Sequence, residues 1–185
     1  VSVNDSGESF ASWNWKKSAT AGFDIVAYTG NGAARTISHS LGVVPELIII
    51  KGRDVVEDWL VGSVQIGLGS GRLYLSTNAT SSASYAASLW NSTAATPSVF
   101  SVGDSAVVNT NTKLYVAYLF ANIEGFSKMS SYKGNGASAG PFIYTGFKPK
   151  FVITKNIDLT DDWEIYDGEM NPYNYLDLGL KPNTS

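Results

Sequence analysis

Side chains able to do chemistry are few in this chain, and their spacing assembles no reaction centre. His39 is the single histidine, set beside the Leu41-Gly42 turn. No serine or cysteine triad can be built around it, so hydrogen bonding at the turn is the expected role, with catalysis or metal binding as the alternatives. Carboxylates gather twice, as Asp54, Glu57 and Asp58 and as Asp158, Asp161 and Asp162. At turns such groups commonly bond to nearby backbone amides. A bent loop rich in oxygens could instead take a hard cation, which makes Asp54, Asp58, Asp158 and Asp162 the candidates for calcium. A glycosidase pair would need a carboxylate separation that sequence does not set. The turns Gly30-Asn31-Gly32 and Gly134-Asn135-Gly136 lack a following helix and a Lys-Ser or Lys-Thr pair, so they are not phosphate loops. No cofactor is expected.

Recognition by aromatic faces is the other chemistry on offer. Trp13, Trp15, Trp59, Trp90 and Trp163 could stack on sugars as exposed rings do in carbohydrate-binding modules. Trp59 and Trp163 occupy equivalent repeat positions and are expected in the core, each closing its own unit. Trp90 is unrepeated and borders a polar excursion over residues 76–98, so Trp90 with Asn91 is the better recognition candidate. Tyr173 and Tyr175, in Asn171-Pro172-Tyr173-Asn174-Tyr175, resemble a binding loop in the same sense. Four glycosylation sequons arise by chance in so Ser- and Thr-rich a chain and carry no weight.

What must position these residues is an internal repeat. Gly22-Phe23, Tyr28, Gly30-Asn31-Gly32, Gly42, Pro45, Lys51, Asp54 and Asp58-Trp59 recur in order as Gly125-Phe126, Tyr132, Gly134-Asn135-Gly136, Gly146, Pro149, Lys155, Asp158 and Asp162-Trp163. The offset is about 104 residues, and Phe10, Trp13 and Trp15 match Tyr115, Tyr118 and Phe120 at 105. Duplicated aromatics and turn glycines, without a duplicated catalytic constellation, favour a building block over an enzyme. The expected organisation is a strand over 1–15 that matches the closing strand of a preceding unit, a complete unit over 16–121, and an incomplete unit over 122–185. Residues 10–15, with Phe10, Trp13 and Trp15, are then an assembly strand that completes the second unit in the same chain or in a neighbouring copy.

Strand signals come every eight to twelve residues, separated by turn residues, and no stretch sustains helical periodicity. The expected fold is all-β, as two tandem related β-sandwich-like units. Strands are predicted at residues 23–28, 36–37, 47–51, 59–61, 73–75, near Leu89-Trp90, at Val99-Phe100 and Val107-Val108, and over 114–120. The unbroken Leu47-Ile48-Ile49-Ile50 predicts a strand buried on both faces. A net charge of −3, with cations scattered singly apart from Lys16-Lys17, excludes a basic stripe for nucleic acid. The apolar runs are too short for a membrane-spanning helix. Zero cysteines exclude disulfides and thiolate metal sites and fit assembly inside a cell.

The stretch Gly22-Phe23-Asp24-Ile25-Val26-Ala27-Tyr28-Thr29-Gly30-Asn31-Gly32, followed by His39-Ser40-Leu41-Gly42-Val43-Val44-Pro45, resembles a module of virion structural and tail-fibre-like proteins of bacteriophages, marine ones especially. So do residues 115–128 and the downstream Gly146-Phe147-Lys148-Pro149. The resemblance spans nearly the whole chain and implies a place on a phage particle: assembled in the host cytoplasm, extracellular in the mature particle. The expected function is a virion structural component, such as a tail fibre, appendage or capsid decoration, with copies of itself or other virion proteins as partners. A lectin-like module that grips host-surface glycan is the alternative, and a polysaccharide depolymerase comes third.

Overall fold

The computed structural model describes residues 4–7, 10, 12–170 and 178–184. Its elements are β1 (Phe23–Thr29), β2 (Arg35–Ser38), β3 (Leu47–Gly52), β4 (Leu60–Ser63), β5 (Leu73–Tyr74), α1 (Ala86–Trp90), β6 (Val99–Val102), α2 (Ala106–Asn109), β7 (Leu114–Phe120), β8 (Phe151–Thr154), β9 (Glu164–Asp167) and β10 (Gly179–Leu180). Strands dominate and helices are few and short, so the protein is all-β. The main sheet runs β1-β7-β3-β4-β5, the small sheet β10-β9-β8, and β2 pairs with β6 in a ribbon.

Every ladder is antiparallel, and the period-2 alternation of side chains decides which face is buried. On β7, Tyr115, Ala117 and Leu119 point inward with no exposure; on β3, Ile48 and Ile50 do the same. The ribbon covers that face with Ile37, Phe100 and Val102, and the helices add Leu89, Trp90 and Val108. Fully burying a large apolar side chain contributes about 1.5–3 kcal/mol, so this cluster is the main source of cohesion. The opposite face of β3 is half-buried, with Leu47 and Ile49 packed into a second cluster formed by Val61, Leu73 and Trp163.

Two predicted strands are helices. Around Leu89-Trp90, the helix formers Ala86, Ala87 and Leu89 win over the tryptophan's strand preference, and one face of α1 brings Leu89 and Trp90 into the core. At Val107-Val108, Ser105 caps a single turn by accepting a hydrogen bond from the Val107 amide, overriding two β-branched residues. The strand expected over 10–15 is also not formed: residue 10 and residues 12–17 lie in no ladder, and Ala11 is outside the described residues.

Local geometry recurs across the chain. The β8–β9 ladder pairs Phe151 with Asp167 and Thr154 with Glu164, which is the β3–β4 register, Leu47 with Ser63 and Ile50 with Leu60, displaced by 104. Asn31 Oδ1 accepts from the Ala33 amide at 3.0 Å, and Asn135 Oδ1 accepts from the Ala137 amide at 3.0 Å. Gly32 and Gly136 follow those asparagines with φ of 72° and 70°, a conformation other L residues adopt at a cost. The surroundings differ. Phe23 is 7% exposed and its counterpart Phe126 is 60% exposed, because β1 lies against β7 while residues 126–150 form no strand.

Candidate binding surfaces

The predicted recognition tryptophan is in the core. Trp90 is 1% exposed, and its indole N–H donates to the Gly71 carbonyl at 3.0 Å, so no ring face is open to a ligand. The signal that misplaced it was the polar excursion itself, whose composition resembles a loop on a scaffold. The chain instead folds back through α1 and uses the tryptophan as an anchor. The excursion is also tied to the β8–β9 connection, since the amide and the hydroxyl of Ser81 both donate to the Ile157 carbonyl. Asn91 is exposed in a left-handed conformation, its amide closing α1 on the Ala87 carbonyl, and it borders a hollow with Gly32, Ala33 and Asp104. Tyr173 and Tyr175 lie outside the described residues.

Trp59 and Trp163 do not share one role. Trp163 is 7% exposed and donates its indole N–H to the Tyr74 carbonyl, resting on the main sheet through Val61 and Leu73. Trp59 is 36% exposed on the outer face of its own sheet, stacked on Tyr118 with centroids 6.3 Å apart. Lys51 Nζ sits 6.0 Å from the Trp59 ring and donates to the Glu57 carbonyl. Together with Ile25, Ala27, Val116 and Arg53 these residues line an open hollow that sequence reasoning missed. Its signal was there: the alternation that sends Tyr115 inward on β7 sends Tyr118 out.

The amino-terminal aromatics sit where the two sheets meet. The rings of Trp13 and Trp15 each approach Phe151 at 5.8 Å, both edge-on, and Trp15 also reaches Phe23 and Phe120. Trp13 donates its indole N–H to Asp167, at 2.5 Å. The Glu169 amide and this indole hold the Asp167 carboxyl below its usual range. Phe10 is half exposed. Both indoles thus reach residues 122–185 through Phe151.

The other titratable groups act locally. Leu41 N–H donates to His39 Nδ1, so Nε2 carries the proton and donates to the Thr96 carbonyl; both ring nitrogens serve backbone groups, as expected for a turn. Asp54 accepts from the Leu114 amide and Asp58 from the Ser76 hydroxyl. Asp162 pairs with Lys181 and Asn183, which hold its carboxyl below the ordinary value. Among the described residues no cluster of three or more His, Asp or Glu side chains could hold a metal ion, and no helix is long and apolar enough to cross a membrane.

Over residues 1–185 the chain matches a family model described as a domain of unknown function (DUF7483). No curated protein and no solved structure matches it.

Proposed function

We propose that this chain, which belongs to the DUF7483 family, is a structural and adhesive component of a phage virion. It is a tail fibre, appendage or capsid decoration built from two tandem related β-sandwich-like units, and not an enzyme. The carrying observation is the ladder register of β3–β4 repeated in β8–β9 at an offset of 104, with the same Asn-Gly turn ahead of each. What recurs is scaffold. Of the carboxylates that recur, Asp54 accepts from the Leu114 amide, Asp58 from the Ser76 hydroxyl and Asp162 from Lys181 and Asn183, and His39 serves its own turn. Repetition of a supersecondary unit is how extended particles and their appendages are made from short chains. The phage setting rests on the resemblance of residues 22–45 and 115–128 to virion modules. The test is location. Antibodies against the purified chain are expected to label phage particles of the strain that encodes it, and label confined to the soluble lysate overturns the proposal.

A second reading keeps its place because of the hollow beside Trp59. A lectin-like grip on host-surface glycan needs an exposed aromatic next to polar donors, and Trp59 with Lys51 and Arg53 supplies that, where Trp90 does not. Binding on a glycan array that disappears in Trp59→Ala supports it. An unchanged array profile removes the hollow as its site.

A further inference from the structure

We propose that the open edge of β8 is a strand-acceptor site, and that its occupant is the amino-terminal segment, residues 12–16, of a second copy of this chain. The inference rests on the assembly reading above and names its contact. In the main sheet β3 has two neighbours, β4 on one edge and β7 on the other, and β7 pairs Phe120 with Leu47 and Tyr118 with Ile49. β8 reproduces the β3 side of the β4 ladder, yet among the described residues its other edge carries no strand. Backbone groups along an open edge are a template for pairing with another chain.

The sequence carries the matching strand. Aromatics at Tyr115, Tyr118 and Phe120 recur with the same spacing at Phe10, Trp13 and Trp15. Transferring the β3–β7 register by the repeat offsets sets Trp15 opposite Phe151 and Trp13 opposite Ile153. The side chains are complementary: both indoles already lie edge-on to Phe151 within one copy, and Trp13 finds Asp167 on the adjoining strand.

Within one copy the fit stops at side chains. The segment is anchored by the turn that closes Ser18 on Phe23, and Trp15 is drawn to Phe23 and Phe120, so residues 12–17 form no ladder with β8. The donor aromatics therefore stay partly open, with Phe10 52% and Trp15 47% exposed, and the chain leading into β8 leaves Phe126 60% and Tyr132 55% exposed. In the first unit the equivalent phenylalanine is covered because β7 lies between β1 and β3. A segment arriving from another copy is tethered to that copy and not to the acceptor, so it can pair its backbone along β8, the strand-addition mode of recognition. Donor and acceptor are different surfaces, so the contact is head-to-tail and gives rings or filaments.

The test is the mass of the full chain across a concentration series, by light scattering. Growth beyond the monomer is expected for the wild type. Trp13→Ala/Trp15→Ala should raise the concentration needed for assembly about tenfold or more, as loss of aromatic anchors does, with unchanged circular dichroism. Trp15→Ala alone serves if the double variant unfolds. Mixing the donor variant with Phe151→Ala should give two-copy complexes and nothing longer. Assembly of the tryptophan variants at wild-type concentrations overturns this contact and leaves the assembly reading standing. A wild type that stays monomeric throughout overturns both.

Discussion

Asp24 shows how a charged group is held in this interior by its partners. Its side chain is 2% exposed, and burial alone pushes its carboxyl upward. Hydrogen bonds from Lys17 and from the amide and hydroxyl of Ser40 outweigh that and hold it below the usual value. Since the folded value is depressed, the stabilisation is complete above the unfolded carboxyl value of 3.8 and is lost as pH falls through the folded one. Asp24→Asn should therefore cost about 1–3 kcal/mol at pH 7, because the new amide N–H₂ faces donors. Urea midpoints of the variant and the wild type should converge near pH 2, and a gap that persists there removes the ionic explanation. At the same scale Trp90→Ala should cost about 3–5 kcal/mol as a core deletion, whereas Trp59→Ala should stay within about 1 kcal/mol. Similar midpoints for the two variants would contradict the assigned burial. The repeat made Trp59 and Trp163 look equivalent, and burial distinguishes them although both rings lie on the main sheet. Trp163 is buried over Val61 and Leu73, and Trp59 stays partly open over Tyr118 of β7.

At the scale of elements, the strands with long apolar or alternating runs were legible: β1, β3 and β7 fall where period and composition place them. The helices were not, because a single turn of four or five residues gives no period to detect. Turns were legible from Asn-Gly, but their tightness was not. A Cβ on Gly30 would meet the Thr110 carbonyl oxygen at 2.1 Å, while one on Gly134, the counterpart in the repeat, would meet nothing within 4 Å. Gly30→Ala should cost about 1–3 kcal/mol by forcing the backbone apart, and Gly134→Ala should stay within about 0.5 kcal/mol. Equal thermal shifts in the two variants would show that the first turn can relax. Asp54 and Asp58 bear on the calcium alternative, since each already accepts a hydrogen bond from a neighbouring segment, Asp54 from the Leu114 amide and Asp58 from the Ser76 hydroxyl. The melting temperature should not differ between excess chelator and millimolar calcium; a native-state ligand would raise it with the logarithm of ion concentration.

Across the whole molecule, the small sheet is held by what it lies on. All eight residues of β8 and β9 are half-buried and none is fully buried, in contrast to the inner faces of β3 and β7. Its cohesion comes from the second cluster, where Trp163, Ile153 and Ile157 pack on Leu47, Ile49, Val61 and Leu73 of the main sheet. The Trp163 bond to the Tyr74 carbonyl and the Ser81 bonds to the Ile157 carbonyl add polar ties across the same junction. The sequence hinted at this junction through Leu47-Ile48-Ile49-Ile50, whose unbroken apolar run has one face for the core and one for a neighbour. It could not reveal which neighbour, because no local period encodes a contact about a hundred residues away. Docking by one large ring makes a sharp expectation. Trp163→Ala removes the indole that joins the sheets, at a cost of about 3–5 kcal/mol to the junction, while the first cluster keeps all its members. Hydrogen exchange should then accelerate in β8 and β9 and stay slow in β3 and β7, because local openings follow the contacts that hold each part. Acceleration spread evenly over all four strands would instead mean that the two sheets unfold as one body, and that the main sheet depends on the small one as much as the reverse.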